Sequence, residues 1–318
     1  MEGNQESDIL GYPKIITYEC TKKIIKQMEK NVFKIKTKDG QGTGFFCKIP
    51  FPDETNMLPV LMTNNHVIDK DILINERNIK IYIEEEFEEK IINLNNRMKY
   101  TNKDYETTII EIREEDNINS FLELDEKIIN GIISNKNENL KFEDKTMYIV
   151  QYPEGELSVS YGVLSNIYED KKYNFQHKCC TKNGSSGSPI LNKNNNKIIG
   201  IHREGLKNSN KGTFLNYPIR EFIRNEFLLK KFNKKQNLFI EGIYIDTLDL
   251  CNKDIEDEDL KDLSEIEFKN LKKMNLSRNS ISDINSLEKS DLKELKELDL
   301  SHNKISDIKI FDKVKFDK

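Results

Sequence analysis

No apolar run in this chain approaches the roughly 18 residues that a membrane span needs, and its first residues, Met1-Glu2-Gly3-Asn4-Gln5-Glu6-Ser7-Asp8, are polar and acidic. A secretory signal would begin basic and continue apolar, so neither export nor a membrane role is expected. A basic excess is missing too. The 50 Lys and Arg stand against 55 Asp and Glu, a net charge of -5, which leaves no electrostatic footprint for nucleic-acid binding. Cysteine is sparse and odd in number: Cys20, Cys47, Cys179, Cys180 and Cys251. Their spacing would not hold zinc, and adjacent Cys179 and Cys180 would make a strained bridge. Reduced thiols in a cytoplasmic protein are the expectation, with no metal or organic cofactor implied.

What is present is enough for a packed core. Of the 318 residues 36% are hydrophobic, and the length suggests about two domains. Cys20, Ile24, Ile25 and Met28 recur at helical spacing, which predicts an amphipathic helix from about Tyr18 to Phe33. Short β-rich pieces follow, among them Val32 to Lys36, Thr43 to Ile49, Pro59 to Met62, Ile79 to Ile83, Thr107 to Ile112, Met147 to Tyr152, Leu157 to Leu164 and Lys197 to His202. Many short strands broken by turn residues predict a mostly β fold, an antiparallel barrel or sandwich. Pro218 followed by Ile219, Phe222, Ile223 and Phe227 predicts a closing helix packed on it. The acidic run Glu84-Glu85-Glu86 with Glu88-Glu89 is expected to be a solvated loop.

Beyond about residue 233 a different period takes over. Leu295-x-x-Leu298-x-Leu300-x-x-Asn303-x-Ile305-x-x-Ile308 repeats Leu271-x-x-Met274-x-Leu276-x-x-Asn279-x-Ile281-x-x-Ile284, with a looser copy at Ile245-x-x-Leu248-x-Leu250 that has Lys253 at the asparagine position. The spacings of 24 and 26 residues lie in the range of leucine-rich repeats, whose stacked apolar positions fill a shared core and whose surface binds partners.

The chemistry lies in two motifs. Gly184-Ser185-Ser186-Gly187-Ser188-Pro189 stands about 120 residues after Thr63-Asn64-Asn65-His66-Val67. A serine hydroxyl attacks only if its proton is removed, and an imidazole with an ordinary pKa near ~6.5 can take that proton and return it to a leaving group. Small residues around the serine let the chain turn tightly and aim N–H groups at a developing oxyanion.

With Gly42-Thr43-Gly44-Phe45-Phe46 before them and Thr107-Thr108-Ile109-Ile110-Glu111-Ile112 between them, these motifs resemble the trypsin-like serine proteases, over roughly residues 30–225. The glutamyl-endopeptidase-like branch, without disulfides, is the nearest in pattern. That resemblance implies two six-stranded β-barrels with the active site between them, His66 as general base, Ser186 as nucleophile, and the N–H groups of Gly184 and Ser186 as oxyanion hole. Alignment on Thr108 puts Glu106 where the family has aspartate, with Asp104 as the other candidate. Ser185 replaces the aspartate that pairs with a new N-terminus in trypsin and its near relatives, so activation by cleavage is not expected. Thr181 and His202 match the threonine and histidine that bind a substrate glutamate in the branch.

The expected organisation is therefore a helical N-terminal extension over residues 1–30, a trypsin-like domain over 31–232 and about three leucine-rich repeats over 240–318. The expected function is a serine endopeptidase acting on proteins or peptides, with the repeats recruiting substrate or partner. The rival reading is a protease-like scaffold whose triad has decayed and which only binds protein.

Overall fold

A computed structural model describes residues 13, 15–38, 40–51, 55–84, 88–133, 146–236, 247–266, 268, 271–290 and 292–312. Residues 1–8, and Glu85 and Glu86 of the acidic run, lie outside these. The chain forms two compact units, Met1–Arg220 and Glu221–Lys318.

In the first unit, α1 (Tyr18–Asn31) is capped by Thr17, whose hydroxyl oxygen accepts from the Cys20 N–H, and it buries Ile24 and Gln27. It stops at Asn31, two residues short of the expected end. Val32 and Phe33, β-branched and aromatic, instead open β1 (Val32–Thr37) and are wholly buried there. Then come β2 (Gly40–Pro50), β3 (Met57–Thr63), α2 (Lys70–Asn75), β4 (Asn78–Ile83), β5 (Glu88–Asn93), β6 (Lys99–Asn102) and β7 (Thr107–Glu111). These strands form one sheet in the order β5-β4-β1-β2-β3-β7-β6.

Seven strands stand where the resemblance implies six. The difference is a turn: the Asn93 side chain accepts from the Asn95 N–H at 2.8 Å and Asn96 takes φ 53°, which divides one path into β5 and β6, the two ends of the sheet. Glu88 and Glu89 belong to β5 rather than to a loop, and Glu89 pairs with Lys80 at 2.7 Å.

The second lobe of this unit holds α3 (Glu126–Ile133), β8 (Thr146–Gln151), β9 (Ser158–Ile167), β10 (Asn174–His177), β11 (Pro189–Asn192), β12 (Lys197–Gly205) and β13 (Asn210–Phe214). Its six strands close into a barrel, β10-β13-β12-β11-β8-β9. Phe175 and Phe214 stack inside it at 4.3 Å. Gly212 makes room for them, since a Cβ there would lie 2.6 Å from the Phe175 ring. α4 (Asn216–Gln236) follows, with Pro218 in its first turn, where no intrahelical N–H is lost.

The second unit contains β14 (Thr247–Asp249), α5 (Asp257–Ser264), β15 (Lys273–Asn275) and β16 (Glu297–Asp299). The strands run parallel with Leu248, Met274 and Leu298 in one register row. Asn279 is buried between copies. Its Nδ2 donates to the Leu250 carbonyl at 2.9 Å and to that of Leu276 at 2.8 Å, while its Oδ1 accepts from the N–H groups of Lys253 and Ile255. Met274, Leu276, Ile281 and Ile284 are buried, whereas Ile308 in the third copy is 66% exposed.

Candidate active site

Two threonines carry the local geometry around His66. Thr63, at the end of β3, donates from Oγ1 to the Thr43 carbonyl at 2.8 Å, and Thr108 of β7 donates to the Ile68 carbonyl at 2.6 Å. The turn between them is closed by the Val67 and Ile68 N–H groups on the Asn64 carbonyl. His66 is left on the surface, with its side chain 51% exposed.

Of the two carboxylates that sequence leaves open, the one touching the imidazole is that of Glu106. Its Oε1 lies 2.8 Å from His66 Nδ1 and also accepts from the His66 backbone N–H at 2.8 Å. Asp104 is exposed, and its backbone carbonyl is what turns inward, to Arg203 Nη1 at 3.0 Å. Glu106 sits just before β7 in the left-handed region, φ 54°, and the Asn64 side chain donates to its carbonyl at 2.7 Å. The turn thereby brings a side chain one methylene longer than aspartate back to the histidine. Burial pulls the Glu106 pKa upward, but the His66 hydrogen bonds, from side chain and backbone, and the charges of His66 and Arg203 hold it below the ordinary carboxylate value.

The serine loop is clasped to the first lobe by Thr43, which is fully buried. Its N–H donates to the Ser186 carbonyl at 2.8 Å and its hydroxyl donates to the Gly184 carbonyl at 2.7 Å, while that same oxygen accepts from the Tyr152 N–H at 3.0 Å. Gly184 takes φ +94° and Gly187 φ +88°, conformations that side chains rarely adopt. A Cβ at Gly184 would meet the Tyr152 carbonyl at 2.5 Å, and one at Gly187 would meet Thr63 Oγ1 at 2.5 Å. Ser185 is buried and holds the turn from within: its Oγ accepts from the Lys182 N–H and its carbonyl accepts from Ser188 Oγ at 2.6 Å. Among the described residues neither the Gly184 N–H nor the Ser186 N–H donates to a protein acceptor. The Ser186 hydroxyl donates to the Arg203 carbonyl at 3.3 Å, and among the described hydrogen bonds none joins it to His66.

His202, on β12, is buried. Its Nδ1 lies 3.2 Å from Nε2 of His177, a residue to which sequence assigns no partner. The Cys179 N–H donates to His177 Nδ1, so His177 Nε2 carries the ring proton and donates to His202. Burial pushes the His177 pKa down to about 4 and, together with the neighbouring imidazoles, that of His202 to about 3, so both are neutral near pH 7. Thr181 is half-buried five residues before Ser186, and among the described residues no hydrogen bond joins it to His202. Cys179 is buried, with its thiol pushed up to about 12 by burial, which makes it a wall residue and no nucleophile.

Two β lobes, the first presenting a histidine held by a carboxylate and the second a serine in a glycine-flanked turn, define the class of trypsin-like double-barrel proteins. The chain belongs to the trypsin-like peptidase family: the family's model, a trypsin-like peptidase domain, matches residues 42–201, half of the chain. A model of leucine-rich repeats in two copies matches residues 269–313. Among the curated proteins no sequence matches. Among solved structures the chain is similar to a serine protease of human pathogenic astrovirus, at 15% identity and TM-score 0.41, covering 58% of this chain and 89% of that one. It is similar also to a serine endoprotease from Yersinia pestis, at 12% identity and TM-score 0.46, covering 67% and 69%. A third is Deg5, at 16% identity and TM-score 0.45, covering 64% and 91%.

Proposed function

We propose that the chain is a serine endopeptidase in which Ser186 is the nucleophile, His66 the general base and Glu106 the acid that orients it. The observation that carries this reading is the 2.8 Å contact between Glu106 Oε1 and His66 Nδ1. It fixes the proton on Nδ1 and leaves Nε2 basic and free to take the serine proton. Attack forms a tetrahedral intermediate whose oxyanion is received by the N–H groups of Gly184 and Ser186; one such donor is worth about 10²–10³ in rate. The imidazolium then protonates the leaving amine, and water hydrolyses the acyl-enzyme by the reverse of these steps.

We assign the substrate residue before the scissile bond as glutamate, bound by the Thr181 hydroxyl and a His202 N–H. With His202 Nδ1 accepting from His177, the remaining ring proton lies on His202 Nε2, a donor for which a substrate carboxylate would compete with the Lys211 backbone that also hydrogen-bonds this ring. Peptide-library profiling is expected to show glutamate at that position; a basic or aromatic preference there removes the assignment. The repeats would recruit protein substrates or a protein partner, and five unpaired thiols suit a cytoplasmic setting.

The bond from Ser186 to the Arg203 carbonyl is the one observation favouring the rival, a scaffold that binds without cleaving. A fluorophosphonate probe separates the two. Labelling of the native protein and none of Ser186→Ala supports the enzyme; equal labelling of both takes Ser186 out of the mechanism.

A further inference from the structure

Glu106 shows two oxygens in unlike surroundings. Oε1 receives both His66 donors. Among the described residues Oε2 accepts no hydrogen bond, and what faces it is the Arg203 guanidinium, with Nη2 4.0 Å away. The two side chains are 11% and 16% exposed, so water screens the pair little. Arg203 Nη1 is anchored on both sides of the cleft, to the Asp104 carbonyl at 3.0 Å in the first lobe and to Asn174 Oδ1 at 2.8 Å on β10. Its Nε is buried with no partner among the described residues. The carbonyl of this same residue receives the Ser186 hydroxyl.

We propose that Arg203 is a positioning residue for the Glu106–His66 pair: it ties the Glu106 turn to the second lobe and sets a fixed positive charge behind the carboxylate. The inference deepens the peptidase reading above and rests on it. A glutamate reaches further than an aspartate and has one more torsion to lose. An arginine behind Oε2 leaves Oε1 as the only oxygen turned to His66. The same charge weakens the field that the Glu106 carboxylate presents to the His66 ring. The other groups around this pair do not offset it. His202 on β12 and His177 on β10 are neutral, and Asp104, on the Glu106 turn itself, is exposed.

The test is the pH profile of kcat/KM for the full chain, beside a direct NMR titration of the His66 ring that needs no turnover. Arg203→Gln removes the charge and leaves a shorter polar amide that ends where the arginine Nε lay, short of the Asp104 carbonyl. The acid limb and the His66 titration are both expected to move up by about one pH unit, with kcat down roughly tenfold and KM little changed. Arg203→Lys, which restores the charge without the fork, should return the limb to its native position while recovering only part of kcat. Where Arg203→Gln does not fold, Asn174→Ala frees one anchor and should shift the titration in the same direction by less. An unmoved or downward titration in the neutral variant, or a lysine variant shifted as far as the glutamine one, overturns the proposal. Failure of the native protein to label with fluorophosphonate would sink the peptidase reading instead, and the NMR titration would still decide the role of Arg203.

Discussion

One oxygen of Glu106 serves both donors of a single residue: Oε1 lies 2.8 Å from the His66 backbone N and 2.8 Å from its Nδ1. The first bond fixes where the histidine turn sits and the second fixes how its ring is rotated. A shorter acid at this position would have to reach both from one methylene further back. Glu106→Asp is therefore expected to lower kcat at least roughly tenfold, and Glu106→Gln, which no longer enforces the tautomer, by about 10³–10⁴. Aspartate tolerates the left-handed backbone, so any fall in thermal stability should come from the weakened bond to the His66 N–H and amount to no more than a few degrees. Steady-state kinetics beside melting curves would check this; a gain of activity in the aspartate variant would show that the native acid is a decayed one.

The buried imidazole pair makes folding sensitive to acid. In the unfolded chain His177 and His202 take up protons near an ordinary pKa of ~6.5, whereas in the fold they resist until about 4 and about 3. Depressed folded values mean that the pair's contribution is complete above the unfolded pKa and is lost progressively as pH falls from about 6.5 towards those folded values. The melting temperature should drop by roughly several degrees between pH 7.5 and 4.5. Replacing both histidines with glutamine should flatten that part of the curve. If the double variant loses stability with acid as steeply as the native chain, the sensitivity comes from elsewhere.

In the repeats the inner asparagine should matter more than the outer one. Asn279 is buried, whereas Asn303 is half-buried. Removing Asn279 leaves the N–H groups of Lys253 and Ile255 and the Leu250 carbonyl without their partner. Asn279→Ala is expected to cost about 2–3 kcal/mol and Asn303→Ala about 1 kcal/mol in urea unfolding of the full chain. The reverse order would contradict this account of how the copies are joined.

The parts of the fold that sequence made legible are those with a local signature. β1, β2, β8, β9 and β12 carry alternating or continuous apolar residues, and the repeats announce themselves by period. β5, β6, β10 and β13, with texts such as EEKIIN and NFQH, show too little alternation, and pairing to neighbours decides them. The site divides the same way. His66 and Ser186 stand in short motifs, and Glu106 follows from alignment on Thr108. Thr43 could be seen only as part of the Gly42 to Phe46 run, because its hydroxyl bond to Gly184 spans 141 residues. His177 and Arg203 carry no motif, and their importance comes from contacts that pairing of distant strands creates.

The leading helix behaves as part of the interior. Gln27 Nε2 donates to the Asn196 carbonyl at 2.8 Å, its Oε1 takes the proton of the buried Tyr148 hydroxyl at 2.7 Å, and Asn196 Nδ2 closes the ring by donating to that hydroxyl at 3.1 Å. A truncated chain starting at Val32 would remove the acceptor of the Tyr148 hydroxyl and expose to water the apolar surface that Ile24 covers. Anyone shortening this molecule should retain that helix, since it packs on β1, β2 and β4 of the first lobe while its Gln27 reaches Tyr148 and Asn196 of the barrel that presents the serine.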